Sequence, residues 1–224
     1  MHDVLIEKKI LYKNDELAGD NRRVFRERGI FAVNIVGAPG AGKTSLIERC
    51  APLLKEILGG IAVIEGDLAT DLDSIRLKRL GIPVTQITTG RACHLDAAMI
   101  HRVMPWALAE GGLKILIIEN VGNLVCPAEF DLGEEMMITV LSASEGADKP
   151  LKYPAIFNSS DALVINKTDL SPHCGFKIEE ASSNALKINP GLSIFAASCR
   201  TGEGIADFSA FLSDAALKSP GMAV

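Results

Sequence analysis

The stretch Gly37-Ala38-Pro39-Gly40-Ala41-Gly42-Lys43-Thr44, running on into Ser45, has the residue types of a phosphate-binding loop. It follows the apolar run Phe31-Ala32-Val33-Asn34-Ile35-Val36 and precedes the helical pattern Ser45-Leu46-Ile47-Glu48-Arg49, so it sits where a strand gives way to a helix. Glycines let successive backbone N–H groups turn inward around a polyphosphate, and the helix N-terminus adds positive potential. Lys43 can reach β and γ phosphates as a point charge, and the Thr44 hydroxyl can ligate Mg²⁺. The pattern implies a nucleoside triphosphate ligand.

A second group names the base. Asn166-Lys167-Thr168-Asp169 follows the apolar strand Ala162-Leu163-Val164-Ile165. An aspartate there can accept from both the ring N1–H and the exocyclic amine of guanine, a pairing adenine does not offer. Asn166 can brace the loops, the Lys167 stem can lie over the base, and Ser198 stands in a stretch placed for a further base-side loop. Acids at strand tips are the candidates for magnesium. Asp67 ends Ile61-Ala62-Val63-Ile64-Glu65-Gly66, although a helix N-cap reading stays open for it. Glu119 ends Ile115-Leu116-Ile117-Ile118, and in Glu119-Asn120-Val121-Gly122 the Gly122 N–H is placed to sense a γ-phosphate.

A third group is sulfur and imidazole. Cys93-His94 stands at the start of a predicted helix, and Cys126-Pro127 lies four residues after Gly122. Two thiolates and one imidazole suit Zn²⁺ or Ni²⁺ and leave one position open. Lone cysteines are also common as small core residues, so spacing by itself leaves both readings standing. His101 follows His94 on the same predicted helix, Cys50 reads as core, and His173-Cys174 reads as surface loop.

The elements that must hold these groups alternate. Strands are expected near 31–36, 61–65, 84–88, 114–119, 137–142, 161–165 and 192–196, with helices over 43–58, 71–80, 95–110, 175–188 and 204–217. This is the pattern of βαβ units: an α/β P-loop NTPase fold with a mostly parallel sheet flanked by helices on both faces. Residues 1–28 read as an N-terminal helical extension with a stripe from Leu5, Ile6, Ile10, Leu11, Leu17, Val24 and Phe25. Residues 29–218 read as the single nucleotide-binding domain and 219–224 as a loosely held tail. Of 224 residues, 48% are hydrophobic and 23% charged, which suits a globular protein. A formal charge of −5 speaks against non-specific nucleic-acid binding, and no apolar run is long enough for a membrane span. The first residues lack a signal peptide's apolar core, and five unclustered cysteines suggest reduced thiols in the cytoplasm.

Longer strings carry a resemblance. Glu65-Gly66-Asp67-Leu68-Ala69-Thr70-Asp71-Leu72-Asp73, Thr88-Thr89-Gly90-Arg91-Ala92-Cys93-His94-Leu95-Asp96-Ala97 and Ile118-Glu119-Asn120-Val121-Gly122-Asn123-Leu124-Val125-Cys126-Pro127 are similar to the HypB family. So are Glu145-Gly146-Ala147-Asp148-Lys149-Pro150-Leu151-Lys152-Tyr153-Pro154 and the Asn166–Asp169 element. That family comprises GTPases assisting nickel insertion into [NiFe]-hydrogenase, with a role in urease maturation in some organisms. The resemblance implies the signal-recognition-particle and MinD branch of P-loop GTPases and a homodimer that tightens with GTP. It implies that Cys93, His94 and Cys126 bind nickel or zinc at the dimer interface, and that Asp67, Asp73 and Glu119 are the switch and magnesium acids. It places Lys152 at a basic position acting across that interface. Partners implied are the hydrogenase large subunit and an accessory nickel-maturation protein. One departure stands out: residues 1–30 contain no cysteine cluster or histidine tract, only His2, so high-affinity nickel storage there is not expected. No arginine finger or water-positioning glutamine is evident, which predicts slow intrinsic turnover. The alternatives are a related GTPase serving a urease-type or other cofactor enzyme, an ATP-dependent small-molecule kinase (which Asp169 disfavours), and a zinc-stabilised scaffold.

Overall fold

Continuous Val/Ile/Leu strands are stable only where both faces are covered, and that is how this sequence disposes of them. The computed structural model describes residues 2–67, 72–90 and 92–221. Strands β1 (Phe31–Gly37), β2 (Ile61–Asp67), β3 (Val84–Thr88), β4 (Ile115–Glu119), β5 (Met136–Ser142), β6 (Ala162–Asn166) and β7 (Ser193–Ala196) form one sheet. Its order is β3-β2-β4-β1-β5-β6-β7, and every adjacent pair runs parallel. The helices are α1 (His2–Glu27), α2 (Lys43–Leu58), α3 (Leu72–Lys78), α4 (Ala97–Ala109), α5 (Lys149–Lys152), α6 (Pro154–Ser159), α7 (Ser171–Cys174), α8 (Ile178–Ile188) and α9 (Ile205–Lys218).

Alternation along β1 splits the core. Val33 and Ile35 pack with Leu46 and Leu54 of α2 and with Phe208 and Leu212 of α9. Ala32, with Ile64, Leu116 and Ile118, packs against Ile100 and Met104 of α4 and Phe25 of α1. Val36 joins Leu163 and Ile165 under Phe157 of α6 and Ala185 of α8. Each such large side chain contributes roughly 1.5–3 kcal/mol by leaving water. The consequence for function is register. Ile35 and Glu65 both pair with Glu119, so the carboxyl ends of β1, β2 and β4 open on one crevice, where parallel α/β sheets bind ligands.

α1 keeps part of the expected stripe: Phe25 is buried and Leu11, Leu17 and Val24 are half-buried, whereas Ile10 is 54% exposed, and the side chains of Leu5 and Ile6 lie outside the described residues. Among the described residues the buried positions of α1 are Asn14, Ala18, Asn21 and Phe25, spaced at helical intervals. Two of the four are amides because α1 docks onto backbone, not onto side chains alone. Asn14 accepts from the Ala97 N–H (2.9 Å) and donates to the Asp131 carbonyl (2.8 Å). Asn21 donates to the carbonyls of Ala97 (2.9 Å) and Leu132 (3.0 Å). The short helices α5 and α6 escape a periodicity reading because four and six residues are too few to show one. At the C-terminus Ser219 is buried and its N–H donates to Ala216, while residues 222–224 of the expected tail lie outside the described residues.

A hydropathy ranking and this packing make opposite forecasts. Asn21→Ala removes two buried side-chain hydrogen bonds to backbone carbonyls and the contact with His101, and should cost about 1–3 kcal/mol. Ile10→Ala should stay within about 0.5 kcal/mol. Urea melts of the two variants decide the order.

Candidate functional site

The turn after β1 is built by what cannot fit there. Gly42 has φ 95°, and a Cβ on it would come 2.4 Å from the Asn166 amide nitrogen, so only glycine brings the phosphate loop against β6. Gly122 also approaches closely, from the other side, where a Cβ would meet the Pro39 backbone at 2.9 Å. Between them lies a cavity of about 400 Å³ that brings together Gly40, Gly42, Lys43, Thr44, Ser45, Asp67, Glu119 and Gly122. Pro39 and Lys167 complete part of its wall; Gly37, Ala38 and Ala41 belong to the loop but are not among the lining residues. Lys43 is buried, and among the described residues its ammonium bonds the Gly37 carbonyl, at 3.4 Å. Burial lowers its pKa, with Glu119 the chief group opposing the shift. A charged group so held gains much from an anion in the cavity.

The acids opposite are equally unsettled. Thr44 donates its hydroxyl to Glu119 at 2.8 Å, while the other Glu119 carboxylate oxygen is buried with no hydrogen-bond partner among the described residues. Burial pushes Glu119 up to about 7. Glu65, adjacent on β2, has one unpartnered oxygen too, and burial followed by repulsion from Glu119 pushes it to about 8. Asp67 accepts from the Thr89 N–H through its carbonyl and lines the same cavity. Hard oxygen donors with unsatisfied lone pairs beside a hydroxyl fit Mg²⁺. Asp73, also lining the cavity, pairs with Arg76 at 2.7 Å, and Arg76 bonds Glu48 at 2.6 Å and the Ser45 hydroxyl at 3.1 Å. Leu68 to Asp71 and Arg91 lie outside the described residues.

A second cavity of about 390 Å³ adjoins the first, between α2 and the β6 and β7 loops, and is lined by Asn166, Lys167, Asp169, Leu170, Cys199 and Arg200 among others. The Asn166 amide donates to the Ala41 carbonyl at 3.0 Å, tying the base-side loop to the phosphate loop. Lys167, with φ 60°, is the one non-glycine at positive φ among the described residues. Its ammonium bonds the Gly40 carbonyl at 2.6 Å. Ser198 is buried and does not line the cavity; its hydroxyl donates to Asp169 at 2.6 Å and fixes that carboxylate from behind.

The sulfur and imidazole group assembles around the loops after β3 and β4. Cys93, His94 and Cys126 place one donor atom each within 4.8 Å of one another. The two sulfurs are 2.8 Å apart, and Cys93 Sγ lies 3.6 Å from His94 Nδ1. α4 begins only at Ala97, capped by Asp96, which accepts from the Met99 N–H at 2.7 Å. Cys93 and His94 therefore belong to the loop before the helix. The hydrogen bond that the Cys93 thiol donates to Cys126 favours its protonated form and raises its pKa, with burial adding to the shift. Burial lowers the His94 pKa, leaving a neutral ring that can ligate. That ring lies on Phe130, with centroids 3.9 Å apart and planes at 31°. Two soft donors and one imidazole fit a borderline divalent ion.

His101 stays out of this cluster and meets Asn21 at 3.0 Å; Cys174 and His173 are exposed on α7, and Cys50 is buried. Lys152 is exposed on α5 and paired with Asp148. Residues missed by sequence reasoning include Glu65, Arg76, Phe130, Asn34 and Glu134. Asn34 left a trace, a polar residue in the middle of an apolar strand. It is fully buried and donates to Glu134 Oε1 at 2.9 Å; burial pushes Glu134 to about 7.

Comparison with known proteins bears on the family and the fold. The family model described as "CobW/HypB/UreG, nucleotide-binding domain" matches residues 31–196. The chain is 49% identical over 209 residues to the hydrogenase maturation factor HypB of Rhizobium leguminosarum bv. viciae, covering 93% of this chain and 69% of that one. Among solved structures it resembles HypB from Helicobacter pylori in complex with nickel, with a TM-score of 0.86 at 39% identity, over 91% of this chain and 95% of that one. It also resembles HypB from Archaeoglobus fulgidus, with a TM-score of 0.84 at 40% identity, over 92% and 99% respectively.

Three buried carboxyls with raised pKa values have a measurable consequence. A folded pKa above the unfolded value gives stability that is full below the unfolded pKa and is lost as pH rises through the folded one. Glu119 and Glu134 near 7 and Glu65 near 8 put that loss between about pH 5 and 8. The ligand-free protein should melt progressively lower from pH 5 to pH 8, and Glu65→Gln should flatten the upper part of the slope. Melting temperatures at several pH values test both statements.

Proposed function

Since the chain belongs to the CobW/HypB/UreG family, as a hydrogenase maturation factor of the HypB group with a GTPase-type domain, we propose that it hydrolyses GTP to drive nickel delivery into a [NiFe]-hydrogenase. The observation that carries this reading is continuity. The segment from Glu119 to Cys126 starts beside the Thr44 hydroxyl, passes Pro39 at Gly122, and ends at the sulfur cluster.

Guanine is read by Asp169, oriented by Ser198, with Asn166 bracing the loops and Lys167 beside the base. The polyphosphate takes the inward N–H groups of Gly37 to Ser45 and the Lys43 charge. Thr44, Asp67 and Glu119 are the residues that would hold Mg²⁺, which when bound would supply charge neutralisation for the polyphosphate. The Gly122 N–H senses the γ-phosphate. Hydrolysis is positioning and charge neutralisation, and it is slow: Arg76, whose guanidinium side chain lines the cavity, is engaged by Glu48 and Asp73.

Nickel is cargo, held by Cys93, His94 and Cys126; zinc suits the same donors. GTP closes two protomers so that these sets meet at the interface, with Lys152 acting across it. Loss of the γ-phosphate contact shifts the Gly122 segment and loosens the cargo, making nucleotide and metal reciprocal effectors. The partners are an accessory nickel-maturation protein and the hydrogenase large subunit. The protein acts in the cytoplasm, where these thiols remain reduced. Pairing through this interface needs neither nucleic acid nor membrane, and no helix among the described residues is long and apolar enough to cross a bilayer.

Metal titration with GDP and with a non-hydrolysable GTP analogue, followed by mass in solution, tests the core of this reading. The wild type should bind nickel with different affinity in the two states and dimerise with the GTP analogue. Cys126→Ala should lose about 100-fold or more in nickel affinity, at or beyond the cost of altering a ligand's support. Identical affinities and masses in both states would sink the switch. Base assignment rests on a separate variant: Asp169→Asn should move preference from guanosine to xanthosine nucleotides, and no movement would reject it.

A further inference from the structure

Asn123 touches three segments at once. Its backbone N–H donates to the carbonyl of Gly37, the first residue of the phosphate loop, at 3.0 Å. This is the isolated antiparallel bridge Gly37–Asn123, outside the main ladders. Its side-chain nitrogen donates to the carbonyl of Cys93 at 3.2 Å. Its side-chain oxygen accepts from the N–H of Val125, the residue before Cys126, at 2.9 Å. Asn120 adds a parallel clasp, accepting from the N–H of Leu95, the residue after His94, at 3.1 Å. Asn120 in turn donates to Asn34 Oδ1 at 3.2 Å and is anchored through its N–H to the Ile35 carbonyl at 2.9 Å.

We propose that Asn123 is the positioning residue that couples the phosphate loop to the Cys93/His94/Cys126 cage. An amide presents a donor and an acceptor from one planar group, so it can hold the Cys93 loop by a carbonyl and the Cys126 loop by an N–H together. Aspartate lacks the donor, and alanine lacks both. Because the same residue's backbone is bonded to Gly37, a shift of the Gly122 segment away from Pro39 pulls on both cysteine loops at once. Without the side-chain clasp, the loops can keep their own geometry while the phosphate loop moves. The effect on the ion is therefore one of coupling, distinct from supplying a ligand atom. The clasp is partly solvent-exposed, whereas Asn120 is buried, so Asn123 is the position where substitution leaves the core untouched.

This inference rests on the nucleotide–metal coupling proposed above, and the experiment separates the two. Ni²⁺ affinity is measured for the full chain at saturating Mg·GDP and at a saturating non-hydrolysable Mg·GTP analogue. Metal-free nucleotide affinity is taken in parallel, so incomplete loading is seen directly. The nickel–thiolate charge-transfer absorption is recorded in each state. The wild type should differ about fivefold or more between states, the lower range of ordinary allosteric coupling. In Asn123→Ala the ratio should fall to within about twofold of one, and the absorption should no longer change with nucleotide. A variant that weakens nickel equally in both states while keeping the wild-type ratio overturns the proposal, because that is what a merely structural contact would do. A wild type with no ratio at all overturns the coupling reading itself. If Asn123→Ala holds no nickel in either state, Asn123→Asp decides: it keeps the Val125 clasp, and a retained ratio in it refutes the role.

Discussion

Parallel pairing of β1 with β4, at Ile35 and Glu119, governs everything downstream. It sends the glycine-rich turn and the acidic turn out of the same edge of the sheet, close enough for the Thr44 hydroxyl to bond Glu119 and for Gly122 to lie on Pro39. The phosphate loop has few side chains to pack, and the β4 loop carries a carboxylate that burial disfavours as an anion. β2 on the far side of β4 supplies Glu65 and Asp67 to the same edge. With β3 beyond it, the loop bearing Cys93 and His94 reaches back over the end of β2 to meet Cys126. A different strand order would scatter these groups even with every strand intact.

Polar side chains, not only apolar ones, decide how the loops sit. Asn14 and Asn21 dock α1 on the backbone at Ala97, Asp131 and Leu132. Glu134 holds the Leu132 N–H at 2.7 Å and takes the Asn34 amide. Asn34 meets Asn120, and Asn120 meets Leu95. A line of satisfied amides thus runs from the N-terminal helix through the sheet to the residue beside His94. Such groups are costly when unpaired and directional when paired, so they specify one arrangement where hydrophobic contact alone would tolerate several.

Much of this was legible in the sequence, for identifiable reasons. The strands were readable because residues such as Val33, Ile64, Ile117 and Val164 form unbroken apolar runs. The phosphate loop and the Asn166–Asp169 element were readable because phosphate and guanine impose side chains at fixed spacing. The α1 stripe was legible only in part, at Phe25, because Asn14 and Asn21 score as surface residues, while Ile10 scores as core and is exposed. The convergence of Cys93, His94 and Cys126 was not contained in their spacing: it depends on the order β3-β2-β4, and only resemblance supplied it beforehand. Roles for Phe130 and Arg76 depend on tertiary contacts with His94 and Glu48 that leave no local signature.

The Lys167 conformation carries a thermodynamic implication for folding. A left-handed lysine costs something like 1–3 kcal/mol, and its ammonium on the Gly40 carbonyl offsets part of that cost. On the proposed reading, with guanine beside Lys167, the strain would be a property of the fold that shapes the wall the base meets, so exchanging this lysine for glycine would relax the loop and loosen that wall together.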